Sequence, residues 1–107
     1  MSKISTPIKR NRNAADTIFT ITGMTKDSHE TRCFGFYYAL DNAVSAVLEN
    51  RGGMDEGRYY HYLIIEEIGW GVYSMTRQEL WFSFCKGKYR RIQVPHHSKN
   101  IFNFGIG

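Results

Sequence analysis

Between residues 59 and 81 the chain gathers side chains with chemical capacity: Tyr59-Tyr60-His61-Tyr62, then Glu66-Glu67, Trp70, Tyr73 and Trp81. A histidine near carboxylates has the parts for proton transfer near neutral pH. Side chains alternate along a strand, however, so His61 shares a face with Leu63, Ile65 and Glu67 rather than with Glu66. Six residues of extended chain put His61 and Glu67 about 20 Å apart, too far to act together. His61 and Tyr60 are therefore weak catalytic candidates, and a structural or surface role is the favoured reading. Glu66-Glu67 has the character of a solvated strand end, its functional alternative being an acceptor for a base edge or a ribose hydroxyl.

A sharper set lies in the basic hairpin, where Lys86, Lys88, Arg90 and Arg91 adjoin Trp81, Tyr89 and Tyr73. Cations beside flat rings are what a nucleotide site requires, because the ring stacks on the base and the cation grips phosphate. The expected ligand-binding residues are Trp70, Tyr73, Trp81, Lys88, Arg90 and Arg91. The plain alternative is a solvated edge hairpin whose lysines deter strand-to-strand aggregation. His96-His97 and His29 lack partners at ligand-like spacing, so no metal site is expected. Neither Gly-x-Ser-x-Gly nor a catalytic cysteine signature occurs. Gly69-Trp70-Gly71 is too short for a phosphate loop and opens no helix, and no cofactor is expected.

These residues must be positioned by strands and one helix. Thr17 to Thr22 is β-branched and strand-like, and Thr31 to Tyr37 alternates Arg32, Phe34 and Phe36 against Cys33, Gly35 and Tyr37. The period then changes: Leu40, Ala43, Val44, Val47 and Leu48 recur at helical spacing, with Asp41 near the N-terminus and Gly52-Gly53 as the C-terminal stop. Tyr60 to Ile68 is apolar on both faces at Leu63-Ile64-Ile65, which predicts a central strand. Val72 to Ser74 is a candidate short edge strand. Glu79 to Cys85 and Lys88 to Val94 form a hairpin across a Lys86-Gly87 turn. The resulting fold class is α+β: an antiparallel sheet of about five strands with one α-helix on one face.

The 107 residues give room for one domain, with residues 1–15 as a flexible basic arm and 16–107 as the folded part. Lys3, Lys9, Arg10 and Arg12 account for the whole net charge of +4, since the remaining ten basic residues balance ten acidic ones. Nucleic-acid binding is accordingly expected only through the arm, not over the folded surface. Aromatic residues make up 15% of the chain, so the functional question is how rings divide between core and surface. Cys33 and Cys85 fall in apolar runs, which predicts buried reduced thiols; a disulfide requires neighbouring strands in register. No apolar run approaches the roughly 20 residues of a membrane helix, and no apolar stretch follows the basic start. A cytoplasmic protein without membrane contact is expected.

One combination invites comparison. Gly35-Phe36-Tyr37 leads into a helix carrying Ala43, Ala46-Val47-Leu48 and Asn50. Then come Asp55-Glu56-Gly57, Tyr59-Tyr60-x-Tyr62, Ile65-Glu66-Glu67-Ile68, Gly71-x-Tyr73, Trp81-Phe82 and Phe104-Gly105-Ile106-Gly107. Over residues 17–107 this resembles a group of small uncharacterised proteins of phages, prophages and gut-type bacteria. The resemblance implies an anti-defence protein that binds and sequesters a nucleotide-derived immune signal, linear or cyclic. A homo-oligomer is expected because a small sheet this rich in aromatic residues leaves an apolar patch to cover. Two alternatives stay open: a metal-independent phosphodiesterase using His61 and a neighbouring tyrosine, and an inhibitor that binds a host defence protein directly. Binding without catalysis is the leading expectation.

Overall fold

Branched and aromatic side chains decide which segments become strands. The computed structural model describes residues 17–69 and 76–95. In these, β1 spans Thr17–Met24, β2 Thr31–Tyr37, α1 Leu40–Leu48, β3 Tyr62–Gly69, β4 Thr76–Cys85 and β5 Lys88–Ile92. The strands form one antiparallel sheet in the order β2-β1-β3-β4-β5. This is the expected α+β arrangement of five strands and, among the described residues, one α-helix. The basic arm, Trp70, Tyr73, the proposed strand at 72–74 and His96-His97 lie outside the described residues.

β3 is the centre of the sheet, and Leu63, Ile64, Ile65 and Glu66 are buried on both of its faces. Leu63 and Ile65 face the helix, joining Ile21, Leu80, Phe82 and Tyr89 against Ala43, Ala46 and Val47. Ile64 faces the other way and packs with Met24 and Trp81. The helix buries Ala43, Ala46 and Val47, while Leu48, expected in its apolar stripe, is exposed. Leu48 follows Val47 by one residue, about 100° further around the helix, and so turns away from the sheet.

Two turns follow from backbone chemistry. At the β4–β5 hairpin, Lys86 and Gly87 both take positive φ, at 53° and 85°, the pair of conformations that matches the twist of the flanking strands. At the end of α1 the left-handed residue is Asn50, with φ 50°, rather than the expected glycines. Asparagine tolerates this conformation, and Gly52 and Gly53 serve the short 3-10 turn Arg51–Gly53 that follows.

The alternation expected along β2 is broken. Ile21 pairs with Gly35 and the next residue, Thr22, pairs with Cys33, so Phe34 is an extra residue in β2. After this bulge the faces exchange: Phe34 and Tyr37 both pack toward the helix, whereas Phe36 pairs with Thr20 and is exposed. Cys33 and Cys85 are also exposed, which corrects the expectation of buried thiols, and β2 and β4 are not neighbouring strands. No described helix is long and apolar enough to cross a membrane.

Gly23 lies where β1 passes beneath two rings. A β-carbon there would stand 2.6 Å from Phe34 Cε2 and 3.0 Å from Tyr60 Cγ, rings that stack edge to face at 5.4 Å. Gly23→Ala is expected to cost about 1–3 kcal/mol, the usual penalty for overpacking, because neither ring can retreat without losing its partner. Urea unfolding of the variant measures it.

Candidate functional site

The missing side chain of Gly35 leaves a gap on the helix-facing side of β2, and a β-carbon built there meets nothing within 4 Å. The gap belongs to a cavity of about 440 Å³ lined by Ile21, Phe34–Tyr37, Ala46, Arg51, Gly52 and Met54. Ile21, Ala46 and Met54 are core residues and form an apolar floor, while Phe34 and Tyr37 are partly buried rings at its side. Gly35 has φ 151°, a conformation that favours glycine, so the same residue supplies both the backbone shape and the space.

Arg51 brings the charge. Its Nε and Nη2 donate to Glu49 Oε1 at 3.3 and 2.8 Å, and its Nη1 donates to the Tyr37 hydroxyl at 3.0 Å. The guanidinium carbon lies 5.9 Å from the centre of the Tyr37 ring. The Glu49 contact first, and the Tyr37 contact second, push the Arg51 pKa further up, so the cation is permanent. Asn50 fixes this segment: its Nδ2 donates to Asp55 Oδ1 at 2.9 Å and its Oδ1 accepts from the Asp55 backbone N–H at 3.0 Å. Among the described lining residues there is no carboxylate, imidazole or thiol.

The described residues among those expected to bind ligand do not converge. Trp81 is fully buried against Met24 and Ile64, with its Nε1 donating to Glu79 Oε1 at 2.9 Å, so it offers no open stacking face. Lys88, Arg90 and Arg91 are exposed. Arg90 pairs across the strands with Ser83 and Lys88 with Cys85, on the side away from the helix. Arg91 is on the helix side, 6.0 Å from the centre of the Phe82 ring. Alternation along β5 therefore divides the cations between two faces. Trp70 and Tyr73 lie outside the described residues.

Tyr60 is buried, edge-on to Phe34, and its carbonyl accepts a hydrogen bond from the Tyr89 hydroxyl at 2.5 Å. His61 is half-buried and edge-on to Tyr62, its carbonyl accepting from Phe84 N–H. Glu66, expected at a solvated strand end, is instead completely buried, and Thr76 donates to its Oε2 at 2.8 Å. Glu67 accepts from Gln78 Nε2 at 2.7 Å.

A second, open cavity of about 490 Å³ is lined by Thr25, Lys26, Asp27, His29, Glu30 and Tyr59. Apart from Lys26, its polar side chains engage one another. Thr25 donates to Asp27 at 2.8 Å, His29 Nδ1 stands 3.4 Å from Asp27, and the Tyr59 hydroxyl donates to Glu30. The Glu30 contact, followed by burial, pushes the Tyr59 pKa up to about 12, which keeps the phenol protonated near neutral pH. No three metal-ligating side chains come together among the described residues.

The pocket beside Gly35 was missed by periodicity because a bulge made it; the Gly35-Phe36-Tyr37 run was its one visible sign. No family model, no curated protein and no solved structure matches this chain.

Two measurements test this arrangement. Asn50→Ala removes both bonds to Asp55 and a residue suited to the left-handed turn, and is expected to cost about 1–3 kcal/mol in urea unfolding. Burial, and secondarily the charge of Lys26, lowers the His61 pKa from its usual 6.5. The unfolded chain therefore takes up this proton first, and the His61 contribution to stability falls as pH drops below about 6.5. His61→Gln is expected to lose less stability than the unaltered chain between about pH 7 and pH 5.5, read as the urea midpoint at each pH.

Proposed function

We propose that this chain is a small binding domain whose pocket beside Gly35 holds a planar ring carrying an anionic group, the chemistry of a nucleotide. The observation that carries the reading is the combination of an apolar floor, ring walls at Phe34 and Tyr37, and the permanent cation of Arg51 in one cavity. A volume near 440 Å³ is within the usual range for small-molecule sites. The resemblance to phage and prophage proteins narrows the ligand to a nucleotide-derived immune signal, held rather than cleaved.

Sequestration is favoured over the phosphodiesterase alternative by the lining itself. Cleavage of a phosphodiester needs a positioned acid and base within hydrogen-bond reach. The described lining residues include neither a carboxylate nor an imidazole, and Glu49 beside them is engaged by Arg51 through two hydrogen bonds. A direct protein partner is the second reading, favoured by one observation: Phe36 and Tyr38 are 51% and 62% exposed and stack edge to face at 5.5 Å. Paired exposed rings of this kind are suited to anchoring a protein contact.

A thermal-shift panel of linear and cyclic nucleotides tests the first reading. A ligand at a hundred times its Kd adds about 2.7 kcal/mol to folding stability, which raises the melting temperature by roughly 10 °C. Arg51→Gln is expected to weaken the best ligand about tenfold or more, through loss of a charged hydrogen bond. The ligand is expected back intact after incubation. A flat panel, or an affinity indifferent to Arg51→Gln, overturns the reading.

A further inference from the structure

We infer that the pocket beside Gly35 accepts a ring bearing one oxyanion and about one negative charge, and that Glu49 sets this limit. This rests on the binding reading above and adds the class of ligand and the residue that selects it.

The donor count on Arg51 carries the inference. A guanidinium has five N–H donors. Three are engaged: Nε and one hydrogen of Nη2 on Glu49, and one hydrogen of Nη1 on Tyr37. Two remain, one on each Nη, enough for the oxygens of one carboxylate or phosphate group. No second cation is among the described lining residues.

Glu49 then acts in two ways. By holding Nε and Nη2 it fixes the direction in which the remaining donors point. Its own charge, 2.8 Å from the guanidinium, offsets Arg51, so the site as built has nearly no net charge to offer. One oxyanion gains two charged hydrogen bonds there. Further phosphates find no donors and meet the Glu49 carboxylate instead, and like charges at this range repel. Both side chains are about half exposed, so the discrimination is modest and fades with salt.

Calorimetric titration at low ionic strength, on the full chain, uses three adenine probes: adenosine, 3′,5′-cyclic adenosine monophosphate with one charge, and adenosine triphosphate. The unaltered chain is expected to bind the cyclic monophosphate most tightly. Arg51→Gln brings the cyclic monophosphate down to the level of adenosine. Glu49→Gln improves the triphosphate relative to adenosine by up to about fivefold, the scale of an exposed charge pair.

If the triphosphate binds the unaltered chain more tightly than the cyclic monophosphate, the Glu49 limit is wrong while the pocket stands. The limit is equally wrong if Glu49→Gln leaves the order and affinities untouched. If adenosine and both nucleotides give no heat with the unaltered chain and with Glu49→Gln, the binding reading fails and takes this inference with it. Circular dichroism of each variant confirms the fold before titration.

Discussion

One strand, β3, is hydrogen-bonded on both edges and buried on both faces, and the rest of the molecule is arranged around it. Leu63 and Ile65 need cover on one side, Ile64 and Glu66 on the other. The one helix among the described residues covers the first side, through Ala43, Ala46 and Val47. A helix that meets the sheet through alanines and a valine can approach it closely. It contacts the edge strands β2 and β5 as well as β1 and β3, so the space at the β2 margin has its cause within that strand.

That margin is shaped by one glycine. A bulge turns Phe34 and Gly35 together toward the helix, and because Gly35 has no side chain the position is a hollow rather than a knob. The hollow gains a cation because the chain leaves α1 through Asn50, whose left-handed backbone and paired bonds to Asp55 turn Arg51 back toward Tyr37. Backbone conformation, loop anchoring and charge placement are thus one chain of causes running from residue 35 to residue 55. None of them involves the basic hairpin at the other edge.

The regular part of this structure was legible in the residues. Branched and apolar runs together with period-two alternation located the strands, the shift to helical spacing at Leu40 located α1, and Lys86-Gly87 marked a turn that uses positive φ at both positions. What was not legible depends on residues that interrupt those periods. The Phe34 bulge reversed the faces of Phe36 and Tyr37, and no local signal distinguishes a bulge glycine from an ordinary strand glycine. Trp81 and the β5 arginines are close in sequence, yet one ring went to the interior and the cations were split by alternation. Aromatic content tells how many rings there are, whereas partition between core and surface is decided by which face each strand position meets.

The ionisable groups that look reactive in the sequence are shifted in directions that do not favour catalysis, and this bears on what kind of protein the fold can be. A general acid or base works best with a pKa near the operating pH. Glu30 drives the Tyr59 phenol up to about 12, and burial drives the Tyr89 phenol up as well, so neither gives up its proton near neutrality. His61 is moved down from 6.5, which leaves it a neutral imidazole that no hydrogen bond to a described side chain orients. Arg51 is moved further up and stays charged at any pH the protein meets. A fixed cation beside rings and an apolar floor suits an anionic ring system. Among the described residues, the electrostatics and the geometry of the pocket accord with the binding role proposed for it.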